Sequence, residues 1–452
     1  MVFFPKFRYA FKHPGISMIN GIPGVCFYLQ GMIQGQNNLH LFIRNQAFNP
    51  MDTKHQDLLQ SVRDFANEYL PEIISLRRHL HMNPELSTLE LNTSAFVAGK
   101  LSEYGIPFKT GIGGNGIVAT IEGHNPAIRT IALRADMDAL QIQETSEVAY
   151  KSQNPGVMHA CGHDVHMACL LGTARILNKM KSSFEGSIRL IFQPSEEKFP
   201  GGAIAMIKDG VLENPVPENI FGQHVLPTLE AGKVGFRSGK YMASTDEIYL
   251  TVKGRGGHAA TPDLNIDPVL IASHLVVALQ QVVSRSTPSG IPTVLSFGRF
   301  IADGRTNIIP DEVKIDGTFR TFSEEWRAKA HLKITKIAMG LAESMGGRCE
   351  VFIDKGYPFL VNDDKTTGKS KQLAVDYLGA ENVVDLDQRM TAEDFAYYSH
   401  IIPACFYRLG VKNPGWDKVR NLHTSVFDIN ESSIETGMGL MAWIAINRIS
   451  NQ

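Results

Sequence analysis

An α/β layered fold with a mixed sheet, interrupted by an α+β insertion, is predicted by three observations. Short β-branched or apolar runs alternate with stretches of helical spacing from residue 56 to about 238 and again after 355. Between those parts the order of elements changes to strand, helix, two strands, helix, strand. The chain has 452 residues, more than one compact core normally holds. The divisions expected are an unassigned extension at 1–50, a layered part at 51–238, an insertion at 239–354, and a second layered part at 355–452.

The elements follow in order. Gln56 to Leu70 and Glu72 to His81 carry apolar residues at helical spacing, and Pro71 between them marks a break or the first turn of a second helix. Asn115 to Glu122 and Thr130 to Asp136 are bounded by Gly, Asn and Pro and read as strands. Asp164 to Met180 is a helix, Ser187 to Gln193 a strand, Ala203 to Asp209 a short helix and Asn219 to Val225 a strand. In the insertion, strands are expected at Glu247 to Lys253, Thr293 to Phe300, Glu312 to Phe322 and Arg348 to Asp354. Helices at Asp267 to Val283 and Glu324 to Met345 complete a ferredoxin-like order. Helix Lys365 to Leu378, a strand near Val383, helix Ala392 to His400, strand Ala404 to Leu409 and a helix from Asn430 onward close the chain.

Composition narrows the function. With 43% hydrophobic and 20% charged residues, and no low-complexity tract, the chain reads as an ordinary globular protein. Its net charge of −2 and the absence of a basic stripe argue against a nucleic-acid partner. Five cysteines, an odd and sparse set, do not make a disulfide framework and fit a reducing, cytoplasmic setting. The stretch Ile19 to Met32 has a leader-like look, but Asn20, Pro23 and Gln30 make it too polar for a membrane span. The expectation is that Met51 is the natural start; a leader is the other reading.

Five places put metal-type side chains at strand ends or in the loops beyond them. They are Asp136 and Asp138; His159, Cys161, His163 and Asp164; Glu196 and Glu197; His224; and His423. Each alone has an ordinary explanation. A lone His is commonly a satisfied core or surface residue, Cys161 a small buried hydrophobe, Glu196 and Glu197 a solvated loop, and Asp136 and Asp138 turn caps. Thiolate, imidazole and carboxylate groups recurring at the strand ends of one sheet would instead converge on one rim.

These residues lie in motifs that resemble the amidohydrolase branch of the aminoacylase and carboxypeptidase G superfamily, which includes hippurate hydrolases and auxin-conjugate hydrolases. The matching text is RRHLHMNPE (77–85), RADMDAL (134–140), MHACGHDVH (158–166), FQPSEE (192–197), GRGGHAATP (254–262), RTNIIP (305–310), GTFRT (317–321), MTAEDF (390–395) and LHT (422–424). Together the motifs span nearly everything from Met51 onward.

The resemblance implies a zinc-exopeptidase-like catalytic domain made of the two layered parts, with the insertion as a lid and dimerisation domain. It implies that Cys161, His163, Glu197, His224 and His423 bind two divalent ions, and that Glu196 is the catalytic carboxylate acting on a metal-bridged hydroxide. Asp138 is expected behind a ligand, as an orienting partner. His258 resembles an oxyanion-stabilising residue often delivered across a dimer, Asn307 its polar helper, and Arg320 the receiver of the substrate carboxylate. Without the surrounding motifs, a turn His, a turn Asn and a strand-end Arg would be the plainer readings. A thiolate in the set favours zinc, then cobalt or nickel, with manganese possible.

The expected activity is hydrolysis of N-acyl amino acids by a homodimer with no membrane partner. A metallo-dipeptidase or carboxypeptidase is the alternative enzyme, and a non-catalytic scaffold the alternative class. Gln141, Gln223 and Asp263 depart from the family pattern and bear on acyl preference, not on the metal shell.

Overall fold

The computed structural model describes residues 50–450. The expectations for the first fifty residues lie outside it, apart from Pro50. The helices are α1 (Pro50–Met82), α2 (Leu91–Glu103), α3 (His163–Lys179), α4 (Gly202–Lys208), α5 (Pro268–Gln281), α6 (Glu324–Ser344), α7 (Asp364–Leu378), α8 (Ala396–Ser399) and α9 (Ser433–Ser450). The strands before the insertion's sheet are β1 (Phe108–Ile112), β2 (Gly116–Glu122), β3 (Thr130–Asp136), β4 (Ser187–Gln193), β5 (Ile220–Glu230), β6 (Val234–Phe236) and β7 (Gly239–Met242). They are followed by β8 (Asp246–Lys253), β9 (Gly257–His258), β10 (Thr293–Ile301), β11 (Ile308–Ile309), β12 (Glu312–Thr321), β13 (Arg348–Lys355), β14 (Leu360–Asn362), β15 (Val383–Asp385) and β16 (Ala404–Lys412).

Eight strands form a mixed sheet in the order β1-β2-β4-β3-β5-β16-β6-β15. Its central strands β4, β3, β5 and β16 run parallel, so their carboxyl ends share one edge. Strands β3 and β4 are buried along their whole length because helices cover both faces of the sheet. The alternation of side chains sorts them into two cores. Ile131, Leu133, Leu190, Phe221, Tyr407 and Leu409 point to the side covered by α1, α3 and α9. Ala132, Ile191, Ile220 and Phe406 point to the side of α4 and α8. Arg134, His224 and Arg408 share the parity of this second face, and that places polar side chains on it where the strands end.

A second sheet, antiparallel in the order β10-β12-β8-β13, is continuous in sequence from Asp246 to Lys355. Its order and its two helices are those of a ferredoxin-like unit, with Ile248, Leu250, Ile315, Phe319, Leu275 and Ile334 in its core. The stretch Pro268–Ser286 is long and apolar enough by composition to cross a membrane. Here Ile271, Leu275, Leu279 and Val282 of that stretch fill this core.

Two expected elements change. Pro71 does not break the first helix, which runs unbroken from 50 to 82. Val62, Ala66, Tyr69, Ile73, Leu76 and Leu80 form one buried stripe, and burying that stripe outweighs the hydrogen bond the proline removes. The helix expected at Ala392 to His400 shrinks to Ala396–Ser399, because Glu393 and Asp394 are drawn into ion pairs at the sheet edge.

Candidate active site

The loop after β3, the turn before α3, the loop after β4 and the middle of β5 meet at the carboxyl edge of the large sheet, beneath the four-stranded sheet. They bound a cavity of about 1000 Å³ lined by Cys161, Glu196, Glu197, His224, Arg320 and His423. A space of this size accepts a small-molecule substrate.

Cys161 lies before the first turn of α3, whose Gly162 has φ +83. A β-carbon at Gly162 would come within 2.6 Å of Val225 Cγ2, so only glycine lets the turn pack against β5. Ligand atoms of Cys161, His163 and His224 lie within 4.8 Å of one another, as do those of Cys161, Glu197 and His423, so both triplets share the thiol. The Cys161 Sγ is 3.4 Å from His224 Nε2, and His423 Nε2 is 3.3 Å from Glu197 Oε1. His423 holds a φ of +58, an uncommon conformation for a residue other than glycine or asparagine, at the point where it faces Glu197.

His163 is oriented from behind. Its Nδ1 lies 2.8 Å from the Asp138 main-chain oxygen and 3.2 Å from Asp138 Oδ1. Asp138 Oδ2 accepts from Ser87 Oγ and from the Glu197 amide, tying the two loops together. The other imidazole nitrogen, His163 Nε2, is buried with no hydrogen-bond partner, and Glu197 Oε1 makes no hydrogen bond beyond its 3.3 Å approach to His423 Nε2. Buried polar atoms left without hydrogen bonds are rare, and His163 and Glu197 atoms close to one another suit the binding of a cation.

The charge balance points the same way. Asp136, Asp138, Glu196, Glu197, Glu393 and Asp394 crowd around the guanidinium of Arg134 and the site imidazoles. Burial, then Glu393 and Glu197, push the Glu196 carboxyl well above its ordinary range. Burial, then Glu197 and Glu196, hold the Cys161 thiol protonated. Burial alone would depress the His163 imidazole, but Asp136 and Asp138 outweigh it and lift it to about 10. Burial, then Arg408, depresses His224. Thiol, imidazole and carboxylate donors in this arrangement fit two divalent cations.

Asp136, His163 and His166 also lie close together, but they do not make a metal group. His166 Nδ1 bonds Asp136 at 2.6 Å and its Nε2 accepts from the Val225 amide at 3.0 Å, so neither nitrogen is free. Asp136 is further engaged by Arg134 at 2.6 Å. Arg134 also holds Asp394 and Glu393, and Gln193 donates to Asp394. Glu196 Oε1 lies 3.4 Å from the Asp394 amide. These positions fall in the motifs RADMDAL, FQPSEE and MTAEDF, yet sequence reasoning gave Arg134, His166, Glu393 and Asp394 no part.

The structure therefore gathers Cys161, His163, Glu196, Glu197, His224 and His423, with Asp138 behind His163 and Arg320 on the cavity wall. Arg320 sits on β12 and donates to the Met390 carbonyl at 3.0 Å. His258 and Asn307 are neighbours, joined by the Ala259 amide bonding the Asn307 carbonyl, but they are exposed and do not line this cavity.

Comparisons with known proteins bear on this geometry. A family model described as Peptidase family M20/M25/M40 matches residues 132–447. The chain is 38% identical over 384 residues to an IAA-amino acid hydrolase, ILR1-like 4, of Arabidopsis thaliana, covering 84% of this chain and 86% of that one. It is 38% identical over 363 residues to the N-acetyl-L-cysteine deacetylase of Bacillus subtilis, covering 80% and 85%. Among solved structures it resembles the Bacillus subtilis YXEP protein, described as a dinuclear metal binding peptidase from the M20 family. That likeness has a TM-score of 0.72 and 32% identity over 85% of this chain and 99% of that one.

Proposed function

Because the chain belongs to peptidase family M20/M25/M40 and is a hydrolase of that family, we propose that it cleaves the amide bond of N-acyl amino acids at a two-cation centre. One observation carries the reading: two donor triplets share Cys161 beside the buried carboxyl of Glu196, on the floor of a cavity whose wall presents Arg320. Cys161, His163 and His224 would hold one cation and Cys161, Glu197 and His423 the other, zinc first by the softness of the thiolate. When bound, such a pair supplies an acidified water that is nucleophilic at neutral pH.

The chain's own groups do the rest. Glu196 takes the proton of the attacking water and returns it to the leaving amine, first as general base and then as general acid. Burial and the nearby Glu393 and Glu197 raise its proton affinity, which favours the second role, while the positive charge of bound cations would favour the first. Asp138 fixes the ring of His163, and Arg320 presents a planar fork to the substrate carboxylate. Chromatographic assay of the metal-loaded protein against hippurate, N-acetyl amino acids and unblocked dipeptides tests the reading. Turnover of the acylated substrates is expected. Cleavage of dipeptides alone would make it a dipeptidase, and inertness towards the whole panel would leave a scaffold.

His258 Nδ1 accepts from the Ala260 amide at 3.0 Å, so a neutral ring carries its proton on the exposed Nε2. That donor is available to a second copy of the chain, and we place it in the partner's active site within a homodimer. Mixing inactive His258→Ala and Glu196→Ala chains should then restore part of the activity. Heterodimers of demonstrated composition that stay inactive would remove His258 from this role.

A further inference from the structure

We propose that Arg389 and Arg408 form a subsite for a second anionic group, so that the preferred substrates are N-acyl amino acids with two negative charges. The inference rests on the amidohydrolase reading and narrows its substrate class.

The first observation is the odd position of Arg408 among buried arginines. Among the described residues, Arg77, Arg134, Arg189, Arg327 and Arg408 are buried. Arg77 pairs with Asp164, Arg134 with Asp136, Glu393 and Asp394, and Arg327 with Asp246. Arg189 donates to the Val211 and Glu213 carbonyls. Arg408, 2% exposed, meets no carboxylate and no carbonyl: its Nε donates to the Tyr241 hydroxyl at 2.8 Å and its Nη2 reaches Met242 Sδ at 3.0 Å. Besides that hydroxyl and thioether it faces, among the described residues, only the rings of Tyr241 and Phe406, 5.5 and 5.3 Å from its centre, and a guanidinium taken out of water without a carboxylate or carbonyl partner is costly unless something else supplies the anion.

The second observation is where it sits. Arg408 on β16 is the register partner of His224 on the parallel strand β5, so the two side chains stand next to each other on the same face, and both line the cavity. Arg389 lines the same cavity, also reaches Tyr241, and has no ion-pair partner among the described residues. Burial, and then the like charge of Arg408, depress Arg389, as expected of two cations brought together without an anion between them. The nearby acids do not fill that need. Of the acids lining the cavity, Asp316 is held by Arg299 at 2.7 Å, Glu247 accepts from the Tyr249 hydroxyl, Glu393 pairs with Arg134, Glu197 faces His423 and Glu196 faces the Asp394 amide.

Arg320 on the same wall donates to the Met390 carbonyl but has no carboxylate partner among the described residues, and it is already assigned to the α-carboxylate. A substrate with one carboxylate leaves Arg389 and Arg408 uncompensated, whereas a dianion satisfies all three, and two guanidinium forks suit a carboxylate better than any neutral group. The second charge can come from the acyl part, as in a dicarboxylic half-amide, or from the side chain of an acidic amino acid.

Two isosteric pairs separate these sources on the metal-loaded full chain: N-succinyl-L-alanine against N-succinamoyl-L-alanine, and N-acetyl-L-glutamate against N-acetyl-L-glutamine. In one pair the charged member should have the higher kcat/KM by at least roughly tenfold, and the pair that shows it identifies the source. Arg408→Gln and Arg389→Gln should each bring that ratio down towards one, a loss of roughly tenfold or more, chiefly through KM, and Arg408→Lys should lower it by less. Equal rates within both pairs overturn the proposal, as does a ratio unchanged in folded variants, or inertness towards all four while other acylated substrates turn over. Inertness towards every acylated substrate overturns the amidohydrolase reading and this one with it.

Discussion

Replacing Glu196 by alanine is expected to lower kcat by about 10²- to 10⁴-fold, the usual weight of a positioned acid-base group, with metal content unchanged. The geometry separates proton transfer from metal holding. Glu196 lies with Glu393 and Asp394 and also beside His163 and Glu197, but the two triplets that share Cys161 are complete without it. Cys161→Ala should do the opposite and strip both cations, since both triplets use that sulfur. Metal content by mass spectrometry beside a rate assay distinguishes the two variants, and equal metal loss in both would contradict the division. Cation uptake should also expel protons. Without metal the Cys161 thiol and the His163 imidazole, lifted to about 10, both hold a proton at pH 7. Affinity should therefore rise with pH by roughly one to two decades per unit, with proton release measurable by calorimetry in buffers of different ionisation enthalpy.

Arg134→Met is expected to cost about 3–5 kcal/mol of stability, the range for removing one partner of a buried ion cluster. Arg134 is 1% exposed and bonds Asp136 at 2.6 Å, Asp394 at 2.8 Å and Glu393 at 3.0 Å. Burial, and the crowding of Glu393, already lift Asp394 to about 8 despite the arginine beside it. With the guanidinium gone, these carboxyls must take up protons or leave the core, and the loop carrying Glu196 moves with them. Adding Asp394→Asn to Arg134→Met should restore part of the loss, because the pair is in direct contact. Denaturant titration of the single and double variants checks both statements; a single-variant loss below about 1 kcal/mol would show that solvent reaches the cluster.

Much of the fold was legible where burial is complete. Strands β3 and β4 were read residue for residue, since a strand covered on both faces is one apolar run bounded by polar punctuation. Helix α2 was missed because its buried face is only Thr93, Val97 and Leu101, set among Ser, Thr and Gly. Strands β6, β7, β9 and β11, two to four residues each, are too short to show a period. At the site, Cys161, His163, Glu196 and Glu197 were visible because they open a helix or follow a strand with side chains that such positions seldom need, whereas His224 lies inside β5 and His423 in a turn, and only the surrounding motifs marked them. Arg408 was hidden inside a strand read only for its apolar neighbours, although a charged residue within the buried run Ala404 to Val411 was itself the signal. Arg389 had no local signal, because only the three-dimensional fold brings it to Tyr241.

The sharing of one sheet between the two ends of the chain has a consequence for biosynthesis. Strand β16 lies beside β5 in the large sheet, yet the whole four-stranded unit is encoded between them. Cys161 leaves the ribosome long before His423, and at about 5–20 residues per second the gap is on the order of 10–50 s. Through that interval the nascent polypeptide holds a thiol and an imidazole without the last donor. Under the proposed assignment, capture of the second cation would wait until His423 has emerged, and a product terminated before His423 could not complete the centre.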